Sequence, residues 1–130
     1  HAGRNPHDGR NAIVAASDLV LRIKALEADD ITVNPAKIEG GSANNVVPDL
    51  AILRFNIRPK STDAMNRFDG QLDAALAAIE ADHEVGIHRH GGVTRPPKPV
   101  DEKAQRLFDL VKACGAELGQ DIGWKPTGGV

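Results

Sequence analysis

The chain has 130 residues, 41% of them hydrophobic, which is enough for one domain with its own core and too few for a second complete one. A net charge of -2, with three Phe, one Trp and no Tyr, argues against a nucleic-acid surface, which needs a basic excess or stacking aromatics. No apolar run is long enough to span a membrane, and the first residues carry no signal-peptide pattern.

Residues 1–10, HAGRNPHDGR, read as a loop rich in Gly, Pro and Asn. Asp8 is a candidate N-cap for a first helix over about 9–27, in which Ile13, Ala16, Val20, Ile23 and Leu26 recur at helical spacing. Residues 31–39 read as a strand favoured by Thr32 and Val33, with Pro35 placing it at an edge or a bulge. The next loop holds Gly40, Gly41 and Ser42, which permit a tight turn or close backbone approach, and then Asn44 and Asn45, which offer amide donors and acceptors. A second strand over 50–59 alternates cleanly: Ala51, Leu53, Phe55 and Ile57 on a core face, Arg54, Asn56 and Arg58 on the other. A strand holding a guanidinium at its far end, beside a loop of amides, suits the gripping of a carboxylate.

Ser61 is a cap for a second helix reaching Asp82, with Met65, Phe68, Leu72, Ala75, Leu76 and Ile79 as its stripe. A third strand is expected over about 84–90. His88 and His90 share a face of it, with His83 nearby, but no carboxylate or Cys is spaced to complete a metal site, so a solvent-facing surface is the preferred reading. The run TRPPKPV at 94–100 cannot continue a central strand and marks a boundary. Asp101 then caps a third helix ending near Gly119, whose Ala104, Leu107, Phe108, Val111, Cys114 and Leu118 form one face. Such a stripe is ordinarily core, which makes Cys114 a packed thiol; with its proper core absent, the face would be exposed or docked on a neighbour. The order helix, strand, strand, helix, strand is an α+β, ferredoxin-like βαββαβ two-layer sandwich without its first strand. That strand would be central, so its neighbours lose ladder partners.

Four segments carry a resemblance: HAGRNPHDGRNAI at 1–13, GGSANNVVPD at 40–49, RFNIRP at 54–59 and TGGV at 127–130. In this order they resemble the two-zinc peptidases and deacylases that include glutamate carboxypeptidase, acetylornithine deacetylase, succinyl-diaminopimelate desuccinylase and the aminoacylases. The similarity to the glutamate carboxypeptidase branch is greatest around NAIVAASDLVLR. The resemblance implies that residues 1–95 are the dimerisation or lid domain. Residues 96–130 are then a linker, helix and Gly loop leading back into a truncated catalytic domain. It implies a homodimer, a catalytic domain of the same protein as partner, and two zinc ions whose ligands lie outside this chain, so that the fragment alone is inactive. Its substrates would be N-acyl amino acids or peptides with a free carboxylate. His1 corresponds to a histidine that stabilises the tetrahedral oxyanion in the partner's active site, Asn45 to a substrate-binding amide and Arg58 to the arginine that binds the substrate's free carboxylate. Gly128 and Gly129 correspond to a glycine loop lining the substrate groove. The start at His1 without Met and the end on TGGV are those expected of an excised piece. A different class of reading is a stand-alone ferredoxin-like regulatory module that dimerises through its sheet edge and binds a small carboxylate. Compartment stays open, with a lean to the cytoplasm.

Overall fold

The computed structural model describes residues 1–127, which divide into two compact units, the first ending at Pro96 and the second starting at Pro97. In the first unit the order is a short 3-10 turn at Pro6–Asp8, helix α1 (Ala12–Lys24), strand β1 (Ile31–Gly40), strand β2 (Ala51–Pro59) and helix α2 (Thr62–His83). The two strands form an antiparallel ladder with Ile31 opposite Pro59 at one end and Gly40 opposite Ala51 at the other. The register slips between Pro35 and Lys37, the bulge that a proline without an N–H demands.

Helix α1 starts later than the sequence reading placed it. Asn11, not Asp8, is the N-cap: its Oδ1 accepts from the N–H groups of Ile13 and Val14, both at 3.1 Å. Asp8 instead closes the 3-10 turn and accepts from Asn5 Nδ2 at 2.8 Å. The buried stripe shifts accordingly to Ala15, Leu19 and Ile23, while Ile13, Ala16 and Val20 are half-buried flanks. Helix α2 is capped by Ser61, whose Oγ accepts from the Ala64 N–H at 3.0 Å, and it buries Ala64, Phe68, Leu72 and Ile79. Ile31 and Val33 join Ala15, Leu19, Ile23, Phe68, Leu72 and Ile79 in one core, so both helices cover the same face of the sheet. The other face carries Arg54, Asn56 and Arg58, as the alternation requires.

Residues 84–90 differ from expectation in one respect. Val85 and Ile87 pack against the core, and Arg89 pairs with Asp69 and Asp73 of α2, so alternate side chains face the helices as they would in a strand. Yet the segment makes no ladder among the described residues. A strand needs a neighbour for its N–H and C=O groups, and the central position beside it is not filled by any described segment.

The second unit is helix α3 (Glu102–Glu117) and the segment that turns back over it. Asp101 caps it, accepting from the Ala104 N–H at 2.8 Å. Ile122 packs on Gly115 so closely that an added Cβ would stand 2.5 Å from its Cδ1, and Trp124 stacks on Phe108 with ring centroids 5.0 Å apart. The rest of the stripe is not core: Leu107, Val111 and Leu118 are exposed. Cys114 is exposed too, against the expectation of a packed thiol: among the described residues the returning segment packs on the Gly115 side of the helix.

Candidate functional site at the loop end of the sheet

The two glycines at the end of β1, Gly40 within it and Gly41 just after, are there for different reasons. A Cβ on Gly40 would lie 2.6 Å from the Leu50 carbonyl oxygen, because the chain doubles back against it where the ladder opens. Gly41 has φ of 83°, a conformation that L side chains rarely adopt. The loop that follows is held to the N-terminal segment: the Ala12 N–H donates to the Pro48 carbonyl at 3.0 Å, and the Ala2 N–H to the Asn45 carbonyl at 2.9 Å.

This stitching brings His1 and Asn45 together although 44 positions separate them. The Gly3 N–H donates to His1 Nδ1 at 3.1 Å, so a neutral ring carries its proton on Nε2. Nε2 stands 3.4 Å from Asn45 Nδ2. Two N–H donors side by side is an arrangement that an oxyanion seated between them would satisfy. The contribution of the Gly3 N–H is not one the sequence reading anticipates, since it depends on the folded turn.

Arg58 is not part of this cluster. It lies on β2 opposite Thr32, at the other end of the ladder from the loop. Its Nε donates to Asn56 Oδ1 at 3.2 Å, and among the described residues no carboxylate pairs with it. That contrasts with Arg22, Arg67 and Arg89, each engaged by Asp side chains. Gly128 and Gly129 lie outside the described residues. His88 and His90 are exposed, and among the described residues no three His, Cys, Asp or Glu side chains group to hold a metal.

The strongest electrostatics of the unit are structural. Asp18 on α1 faces Arg22 at 3.0 Å and His83 of α2 at 2.8 Å, and Arg22 reaches on to Asp82 at 2.7 Å. The Arg22 hydrogen bonds first, then that of His83, lower the Asp18 carboxyl from 3.8 to about 2. This network ties the two helices together on the surface and does not involve His1 or Asn45.

The first unit is thus an open α+β layer whose Gly40–Gly41 loop carries Asn45 beside His1. Residues 1–84 match the peptidase dimerisation domain, and the chain belongs to that family. Over 92% of its length it is 27% identical to an N-acetyldiaminopimelate deacetylase of Anoxybacillus flavithermus (strain DSM 21510 / WK1), and 24% identical to one of Priestia megaterium (strain ATCC 12872 / QMB1551). Among solved structures, the aminopeptidase PepT from Bacillus cereus ATCC 10987 superposes with a TM-score of 0.85 over 100% of the chain at 20% identity, which establishes the fold. The chain spans 36% of the length of each of the two deacetylases and 35% of the aminopeptidase chain.

Proposed function

We propose that this chain is the dimerisation domain, with a short return segment from about residue 96, of a zinc-dependent hydrolase that cleaves the amide bond of N-acyl amino acids or peptides with a free carboxylate. The observation that carries the proposal is the His1–Asn45 pair, held by the Ala2–Asn45 and Gly3–His1 hydrogen bonds at the tip of the unit. In this reading His1 Nε2–H, beside the Asn45 amide, donates to the oxyanion that develops as the amide carbonyl becomes tetrahedral, a contribution worth about 2.7–4 kcal/mol for one donor. Arg58 holds the free carboxylate through its planar fork. Gly128 and Gly129 would line the groove with backbone groups. The described residues of this chain do not fit a zinc site, so the metal and the activation of water belong to the rest of the enzyme.

Self-association has support of its own. Val20 of α1 and Pro35, Ala36, Lys37, Ile38 and Leu53 of the sheet line a shallow groove of about 180 Å³ beside the β1 bulge, apolar apart from Lys37. Ile38 is exposed there, and Val14 and Leu21 of α1 are exposed as well. An apolar surface of this kind, next to a strand with unpaired backbone groups, fits a second copy.

The test is hydrolysis of a panel of N-acetyl amino acids and dipeptides by the full-length protein, with its zinc measured on the same sample. Turnover that is lost with chelator, restored by zinc and reduced 10²–10³-fold in kcat by His1→Ala is the expected result. A metal-free protein that turns over none of these substrates sinks the hydrolase and favours the non-catalytic carboxylate-binding module.

A further inference from the structure

Asn5 stands at the head of the Pro6–Asp8 turn, a position from which an Asn side chain ordinarily accepts from the first N–H groups that follow. It makes no such bond. Its side chain instead bridges two other residues. Oδ1 accepts from the His1 nitrogen at 3.2 Å, a bond that this nitrogen donates equally as an amine or as an amide, and Nδ2 donates to Asp8 Oδ2 at 2.8 Å. An ionised carboxylate only accepts, so Asp8 decides which way the Asn5 amide faces: nitrogen toward Asp8, oxygen toward His1.

The main chain of Asn5 grips His1 as well. Its N–H donates to the His1 carbonyl at 3.1 Å, beside that of Arg4 at the same distance, and its own carbonyl accepts from the Asp8 N–H at 3.2 Å. His1 is therefore held at its nitrogen and its carbonyl by one residue, and at Nδ1 by the Gly3 N–H. That leaves Nε2, 3.4 Å from Asn45 Nδ2, as the polar atom of His1 turned toward the Asn45 loop. The turn is seated on that loop at both ends. Ala2 donates to the Asn45 carbonyl, and Gly9 lies against Val47, where an added Cβ would stand 3.2 Å from Cγ1. Between these two anchors the Asn5–Asp8 clamp sets the shape of the turn.

The fold has little use for this clamp. His1, Asn5 and Asp8 are exposed and lie outside the core cluster, and hydrogen bonds that water can replace add little net stability. We infer that Asn5, oriented by Asp8, is a positioning residue for His1: it fixes the His1 main chain so that Nε2–H stands beside the Asn45 amide, where the oxyanion develops. This rests on the hydrolase reading and deepens it. A misplacement of about 1 Å at a reacting centre costs on the order of 10²-fold in rate. Because the oxyanion forms only on the way to the tetrahedral state, the loss falls on kcat and spares KM.

A double-mutant cycle in the full-length protein tests this, assayed on the N-acetyl amino acid that the wild type turns over best. Asn5→Ala is expected to lower kcat about 10–100-fold, with KM within about twofold and the urea midpoint of the first unit unchanged. In the His1→Ala background the same substitution is expected to change kcat by less than about twofold, because the donor that Asn5 positions is gone. Asp8→Ala lowers kcat in the same direction by less, and Asp8→Asn, which keeps an oxygen to accept from Asn5, recovers most of that loss. Wild-type kcat in Asn5→Ala overturns the inference and leaves the hydrolase reading intact. So does a loss that recurs in full in the His1→Ala background, since it marks a role independent of His1. Where Asn5→Ala fails to fold, Asp8→Ala takes its place in the same cycle and is judged in the same way. A wild-type enzyme inert toward every N-acetyl amino acid and dipeptide tested, or full activity in His1→Ala alone, refutes the reading on which this inference rests.

Discussion

In the first unit Phe68, Leu72 and Ile79 of α2 are covered by α1 and the sheet, whereas in the second Leu107, Leu110 and Val111 of α3 remain on the surface. Both helices are amphipathic, and both start on a side-chain cap, Ser61 and Asp101. What separates them is the presence of a second apolar layer. An apolar stripe states which side of a helix avoids water, not what covers it. In the first unit the cover is built in; in the second, among the described residues, Ile122 and Trp124 supply what cover there is, over Gly115 and Phe108.

The contrast is most directly broken by truncation in each unit. Phe68→Ala removes a ring that is 2% exposed and is expected to cost about 3–5 kcal/mol, read as a lower urea midpoint of the first unit. Leu107, at 58% exposed, is expected to change stability by less than about 0.5 kcal/mol when replaced by Ala. A cost of several kcal/mol for Leu107→Ala would show that α3 has a buried face after all. Next in size is Gly41→Ala, which forces a left-handed conformation on a side-chain-bearing residue and is expected to cost about 1–2 kcal/mol. Because Gly41 anchors the loop and not the core, this variant should also lower activity of the full-length enzyme more than its stability loss explains; equal behaviour of activity and stability would count against the loop's role.

The smallest effect is pH-dependent. Asp18 titrates lower when folded, at about 2 against 3.8, so its pairing with Arg22 and His83 stabilises the first unit fully above 3.8 and is lost as pH falls through about 2. The unfolding midpoint should therefore drop across that window, and Asp18→Asn should flatten the drop. An unchanged profile in the variant would remove the α1–α2 network from the account. Nothing comparable links α3 to a partner helix among the described residues.

Much of the first unit was legible because its signals are local. The Leu53, Phe55, Ile57 alternation, the Pro35 bulge and the Ser61 cap each depend on a few neighbouring residues, as does the Asp101 cap in the second unit. The α1 start was misread because two good capping residues, Asp8 and Asn11, compete within four positions, and the Pro6 turn settles the choice for Asn11. Residues 84–90 have the composition of a strand, but a ladder is a property of two segments, and one segment cannot announce its neighbour. At the site, the motif around His1 and the Asn45 loop suggested partners, yet the Ala2 and Gly3 backbone bonds that join them follow from the folded turn alone. The separation of Arg58 from that pair was implicit in the strand length between Ala51 and Arg58, which a list of site residues conceals.

The account turns on this unit acting as the junction between two subunits. The most direct measurement is the solution mass of the full-length natural protein by sedimentation equilibrium, across a range of concentrations. A mass of two subunits that persists on dilution is the predicted result for a protein built on a peptidase dimerisation domain. A protein that sediments as a single subunit at every concentration would contradict it.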